Sequence, residues 1–179
     1  SLTVTLAWNQ PVSSHIRFID VGTGAGMPGI PLKILMPDIK LVLLDSTAKK
    51  AGFLQHLIPV LRLNDVEIVV GRAEEIAHQT QYREKFDVVL SRAVAPLPTL
   101  VELTLPFCIP GGSFMAHKKG DIESEIVPAS KAIGMLGGKL REVKRVNLTE
   151  LGAERYLVII DKISPTPELY PRRPGIPSK

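Results

Sequence analysis

Short apolar, β-branched runs recur along the chain at Ile16–Val21, Lys40–Asp45, Val66–Val70, Phe86–Ser91 and Ser113–His117. The middle ones, such as Leu41-Val42-Leu43-Leu44, are continuously apolar and do not alternate. A strand needs that pattern when helices cover both of its faces. Between the runs, Phe53, Leu54, Leu57, Ile58 and Leu61 fall on one face of a helix, which Pro59 should kink or shorten. Ile30–Met36 reads as a short helix opened by Pro28 and stopped by Pro37. Leu97–Leu105 and Ile122–Leu136 are further helices, the second interrupted by Pro128.

Strand–helix alternation predicts parallel strands joined by right-handed crossovers, a doubly wound, Rossmann-like α/β sheet. The ending differs: Arg141–Leu148, a turn at Glu150-Leu151-Gly152 and Arg155–Asp161 have no helix between them and read as an antiparallel hairpin. With the five earlier runs this makes seven strands, mostly parallel. Ser164–Lys179 holds five prolines, so it cannot extend the sheet and should lie extended on the surface. The expected organisation is one domain over 1–163 and a Pro/Arg-rich basic tail over 164–179.

Composition narrows the setting. The 179 residues suffice for one domain, and 45% apolar with 22% charged residues is ordinary for a globular protein. A single cysteine, Cys108, excludes an internal disulfide framework and a paired-cysteine metal knuckle. The four histidines (His15, His56, His78 and His117) lack ligand spacing, so no metal is expected. No apolar run approaches ~18 residues and no secretory leader pattern opens the chain, so the reading is cytoplasmic, without a membrane. The formal net charge of +4 resides entirely in residues 139–179, which carry 9 basic and 5 acidic side chains. A one-sided excess suits a phosphate-bearing partner, but on charge alone a solvated face is the favoured reading.

The chemistry begins at Asp20-Val21-Gly22-Thr23-Gly24-Ala25-Gly26, between the first strand and the first helix. Glycines let a ligand approach the backbone, and the helix start offers unpaired N–H groups. The dinucleotide fingerprint G-x-G-x-x-G fails at its sixth position, which is Met27. The G-x-G-x-G spacing, with Asp20 two residues ahead, favours a ligand without pyrophosphate and with an ammonium group, such as S-adenosylmethionine. Asp45 ends the second strand 23 residues after Gly22, where a carboxylate can accept both ribose hydroxyls. Arg72-Ala73-Glu74 follows the third strand, at the rim where an adenine would lie. Asp45 also reads as a helix cap for Ser46–Leu63 and Glu74 as a solvated acid, and a nicotinamide oxidoreductase is the competing class.

The loop after the fourth strand reads Ser91-Arg92-Ala93-Val94-Ala95-Pro96. It lacks the Asn/Asp-Pro-Pro-aromatic motif with which methylases hold exocyclic base amines. Methylation at carbon 5 of a pyrimidine needs a cysteine nucleophile, and Cys108 is poorly placed for it. An acceptor that is already nucleophilic remains, such as guanine N7, whose lone pair requires no general base. Catalysis would then be positioning, with Arg92, Lys119 after the fifth strand, or Arg155 at the start of the last strand holding guanine O6 or a phosphate. Aromatic residues make up only 5% of the chain, so recognition would lean on shape and phosphate contacts.

These stretches closely resemble the bacterial RsmG (GidB) family, methyltransferases of guanine N7 in 16S ribosomal RNA. The resemblance rests on the run from Phe18 through Gly22-Thr23-Gly24-Ala25-Gly26-Met27-Pro28-Gly29 to Pro31, and on Leu44-Asp45-Ser46-Thr47-Ala48-Lys49-Lys50. Gly71-Arg72-Ala73-Glu74-Glu75, Ser91-Arg92-Ala93, Lys119-Gly120 and Pro171-Arg172-Arg173-Pro174-Gly175-Ile176-Pro177 follow in the family order. The resemblance implies a class I methyltransferase sheet, S-adenosylmethionine as cofactor and a small-subunit ribosomal particle as substrate of a monomeric enzyme. It implies cofactor contacts at Gly22, Met27, Asp45, Ser46, Thr47, Ala73, Glu74 and Arg92, to which the loop reading adds Asp20, Gly24 and Gly26. It implies roles for Arg72, Lys119 and Arg155 in the active site or on RNA. The family carries a helical segment before the first strand, and Ser1-Leu2 resembles its tail, so that segment is expected to be missing. His117-Lys118-Lys119-Gly120 has an extra basic residue before the Lys-Gly pair, leaving open which lysine faces the site. A small-molecule methyltransferase and a non-catalytic cofactor-binding RNA-interaction protein are the other readings.

Overall fold

The computed structural model describes residues 16–92, 94–146 and 154–177. Seven strands form one sheet in the order β3-β2-β1-β4-β5-β7-β6. They are β1 (Arg17–Val21), β2 (Lys40–Asp45), β3 (Val66–Val70), β4 (Phe86–Arg92), β5 (Cys108–Lys119), β6 (Gly138–Val146) and β7 (Arg155–Lys162). The helices are α1 (Gly29–Leu35), α2 (Ala48–Val60), α3 (Ala73–Ile76), α4 (Leu97–Thr104) and α5 (Glu123–Met135). The first five strands are parallel, and β7 runs antiparallel to both β5 and β6. Strand order reverses between β1 and β4, the switch point at which open α/β sheets hold ligands beyond the strand carboxyl ends.

Continuous apolar runs are needed because each central strand is covered twice. On one face Ile19, Val42, Leu44, Val89, Phe114, Val158 and Ile160 pack with Leu97, Leu100 and Val101 of α4 and Ala129 and Ile133 of α5. On the other, Phe18, Leu41, Leu43, Val88, Leu90, Met115 and Leu157 pack with Ile30 and Leu32 of α1 and Leu54 of α2. Alternate residues of one strand thus enter opposite cores.

The structure departs from the sequence pattern in four places. β5 starts at Cys108 rather than Ser113, because the register slips between Phe86 and Val88 of β4. Glycine absorbs that slip: Gly111 has φ +91°, and a Cβ on Gly112 would lie 2.6 Å from the Asp87 carbonyl oxygen. Pro128 does not interrupt α5, since it removes one hydrogen bond while Ala129 and Ile133 stay buried beneath. α3 is a single turn, too short to leave a periodic signature. The tail adds no strand, as expected, but it is not simply laid on the surface: Thr166, Pro171 and Pro177 are buried. The 1% exposed Lys162 holds its start, with Nζ bonded to the Thr166 hydroxyl, the Leu105 carbonyl (3.0 Å) and Glu84 (3.1 Å). The expected hairpin turn at Glu150-Leu151-Gly152 lies outside the described residues. Among the described residues no helix is long and apolar enough to cross a membrane.

Candidate active site at the carboxyl edge of the sheet

The turn after β1 is built on left-handed glycines: Gly22, Gly24 and Gly26 have φ of +71°, +62° and +90°. Gly22 also sits against the next loop, where an added Cβ would meet Val94 Cγ2 at 2.5 Å. The turn is fastened to β2 by the Gly22 and Thr23 N–H groups, which donate to the Leu44 carbonyl at 2.8 and 3.0 Å. Beneath it, Asp20 Oδ2 accepts the Thr23 hydroxyl (2.7 Å) and the Gly29 N–H (2.9 Å). Its Oδ1 is buried with no hydrogen-bond partner among the described residues. Burial pushes this carboxyl up to about 6, against the hydrogen bonds from Thr23 and Gly29 and the charge of Arg92.

Asp45 ends β2 and behaves oppositely. Its burial alone would raise it, yet the N–H groups of Thr47 and Gly24, each 2.9 Å away, and Lys50 at 3.4 Å hold it below the usual carboxylate range. Asp45 is therefore an ionised acceptor at neutral pH.

A cavity of about 430 Å³ opens at this edge. That volume is of the size that encloses small-molecule ligands. Gly22, Asp45, Ser46, Arg72, Ala73, Glu74 and Arg92 line it, from the ends of four different strands. Asp20, Gly24, Gly26, Met27 and Thr47 are outside its lining; Asp20 supports the turn from below, and Gly24 and Thr47 aim Asp45. Glu74 is buried and takes a hydrogen bond from the half-exposed Arg72 at 3.2 Å.

The remaining basic candidates separate. Lys119 and Arg155 are register partners across β5 and β7, side by side at the same edge but outside the cavity lining. Arg155 Nε is buried without a hydrogen-bond partner among the described residues. The two lysines have different surroundings, and neither lines the cavity. Lys118, 8% exposed, turns inward to Glu125 (2.7 Å) and the Ala95 carbonyl (2.9 Å), whereas Lys119 is exposed. Glu125 also accepts the Leu97 N–H at 2.6 Å, so the pair clasps the segment that joins β4, with Arg92 at its end, to α4.

Sequence reasoning missed Lys50, Val94, Thr99, Leu103 and Pro177, all part of the lining. Lys50 had a signal, a first-turn lysine five residues after Asp45. The described lining contains no histidine, cysteine or tyrosine. His117, nearby on β5, is kept neutral by burial and the charge of Arg92, its pKa lowered to about 4. Cys108 lies at the opposite end of β5, with burial pushing its thiol up to about 12. The arrangement of carboxylates and cations can bind and orient a nucleoside-like ligand, and among the described lining residues no histidine or cysteine stands beside it.

Comparison with known proteins agrees. Residues 2–156 match the family described as GidB, rRNA small subunit methyltransferase G. A Dehalococcoides mccartyi protein (strain CBDB1) named ribosomal RNA small subunit methyltransferase G is 53% identical over 91% of this chain and 69% of its own length. A Roseiflexus castenholzii protein of the same name is 49% identical over 100% of this chain and 75% of its own length. Among solved structures, an rRNA methylase from Streptococcus thermophilus superposes with TM-score 0.63 at 15% identity, covering 86% of this chain and 90% of that one. A mutant 16S rRNA (adenine(1408)-N(1))-methyltransferase from Catenulisporales acidiphilia, with cosubstrate SAM, gives 0.69 at 13% identity over 87% and 88%. At such identities the structural likeness speaks for the Rossmann-like methyltransferase fold alone. The extent and identity of the sequence matches establish that this chain belongs to the rRNA small subunit methyltransferase G family.

Proposed function

We propose that the chain transfers a methyl group from S-adenosylmethionine to N7 of a guanine in small-subunit (16S) ribosomal RNA. The observation that carries this reading is the convergence of the Gly22 turn, the ionised Asp45, buried Glu74 and Arg92 on one cavity at the switch point of the sheet. The residues present fit such a cofactor. Asp45 is an acceptor suited to a ribose diol, the positive-φ glycines admit close backbone approach, and Asp20 keeps a buried oxygen without a partner among the described residues. When bound, the cofactor supplies a methyl group activated by a sulfonium centre.

The chain's own residues then have only to bind and orient. Guanine N7 carries no proton, so none has to be removed, in keeping with the described lining residues, which include no histidine or cysteine. Arg92, anchored through β4 and exposed at the cavity, is assigned to guanine O6 or a neighbouring phosphate. Arg72 steadies Glu74 at the opposite rim. Lys119 and Arg155 form a cationic ledge beside the opening, suited to the RNA backbone. The substrate in this reading is RNA within a small-subunit particle, handled by a monomer in the cytoplasm.

The test is methyl transfer from labelled S-adenosylmethionine to small ribosomal subunits from cells with and without the gene. Subunits from the deleted strain should accept label at a guanine, as N7-methylguanosine, and subunits from the parent should not. Equal incorporation into both, or label at another atom, defeats the assignment.

A further inference from the structure

The tail runs back from β7 to the cavity and is tied down at successive points. Arg83 donates to the carbonyls of Tyr170 (2.9 Å), Thr166 (3.0 Å) and Pro167 (3.1 Å). His78 Nε2 lies 2.8 Å from the Pro171 carbonyl oxygen. Arg172 meets Glu102 of α4 twice over, through its backbone N–H (2.8 Å) and through its guanidinium (2.7–3.2 Å). That carboxylate is only 6% exposed. The chain then turns, with the Ile176 N–H donating to the Arg173 carbonyl at 3.0 Å. Pro177 is buried at the cavity, where its carbonyl accepts the Thr99 hydroxyl at 2.8 Å. The Gly175 N–H reaches Glu74 Oε1 at 3.4 Å.

We propose that Pro177, carried to the cavity by the turn at Arg173–Ile176, forms part of the wall against which the purine of the methyl donor is held, so that the tail sets cofactor affinity. The inference rests on the cavity being the cofactor site. Pro177 shares the cavity lining with the uncharged side chains of Ala73, Thr99 and Leu103, and Thr99 is bonded to it directly, apolar surface of the kind a flat heteroaromatic ring packs against. Glu74 lines the same cavity, and its orientation is set from two sides, by Arg72 and by the Gly175 N–H. The basic tail thus reaches the site through its backbone and proline ring, while the Arg172 charge is held by α4.

A chain ending at Arg173 keeps the Arg83 and Arg172 ties and loses the wall. Titrated calorimetrically with S-adenosylhomocysteine and with adenosine, it should bind both about tenfold more weakly than the full chain. Thr99→Val leaves the tail in place and removes the hydroxyl that holds Pro177; it should weaken both ligands about threefold. The conservative Thr99→Ser variant should restore binding. Unchanged affinities in the shortened chain and in Thr99→Val overturn the wall, as does a loss confined to RNA binding. A full chain that binds neither ligand overturns the cofactor reading itself, a result distinguishable from failure of the wall alone.

Discussion

Asp20 and Asp45 lie at the carboxyl ends of neighbouring strands, one residue before the end of β1 and at the end of β2, and their surroundings push them in opposite directions. Asp45 gains two backbone N–H groups and a lysine; Asp20 gains two donors on one oxygen and, among the described residues, none on the other. Folding therefore raises the Asp20 carboxyl from its ordinary 3.8 to about 6. The folded chain binds this proton more tightly than the unfolded one. Stability from this group is accordingly full below about 4, falls as pH rises to about 6, and stays low above it. Asp20→Asn removes the titration while its amide group can occupy the place of Oδ1. Its stability relative to the parent should rise between pH 4 and 7 by up to roughly 3 kcal/mol. Denaturant midpoints at several pH values measure this, and a pH-independent difference would refute it. In the proposed function the same variant loses affinity for the cofactor ammonium. Both carboxylates were legible from spacing, because a strand end and a glycine turn are local features. Their contrasting ionisation was not, because it depends on which N–H groups the folded turn directs at each oxygen.

Elements come together at the loop between β4 and α4. Glu125 of α5 holds the Leu97 N–H at the start of α4, and Lys118 of β5 holds both Glu125 and the Ala95 carbonyl. Lys118→Met leaves that carboxylate without its cation and should cost about 1–3 kcal/mol. Its melting point should fall, and methyl transfer should fall with it as the segment following Arg92 loosens. Lys119→Met should keep the melting point and weaken RNA binding. If the two variants melt alike, the clasp is wrong. Most strands and helices were readable from apolar periodicity, β2 and β3 to the residue. The difference between the two lysines was not, since it depends on strand parity and on where α5 packs. The early start of β5 was hidden for a related reason, because a slipped register against β4 has no periodicity of its own.

For the whole molecule, the distribution of charge has to be read through its contacts. Arg172 and Arg173 are adjacent, yet Arg172 is committed to a nearly buried glutamate while Arg173 is exposed. Arg172→Ala should lower the melting point, leaving Glu102 unpaired at a cost of about 1–3 kcal/mol. If RNA is the partner, Arg173→Ala should leave stability intact and lower the slope of log affinity against log salt by about 1. Equal effects of the two substitutions on stability would contradict the pairing with Glu102.

What the amino-acid sequence determined by itself were features set within a few neighbours: alternating strands and helices, a glycine turn after β1, acids at strand ends, and hence a class of ligand. Only the tertiary structure decided that β7 enters between β5 and β6, setting Arg155 beside Lys119, and that the tail returns to wall the cavity. The physical reason is range. Periodicity and backbone preference act over a turn or a strand, whereas these placements follow from partners some 30 to 100 residues apart, such as Lys119 with Arg155 and Glu74 with Gly175, whose pairing is selected by burial and hydrogen bonding in the assembled core.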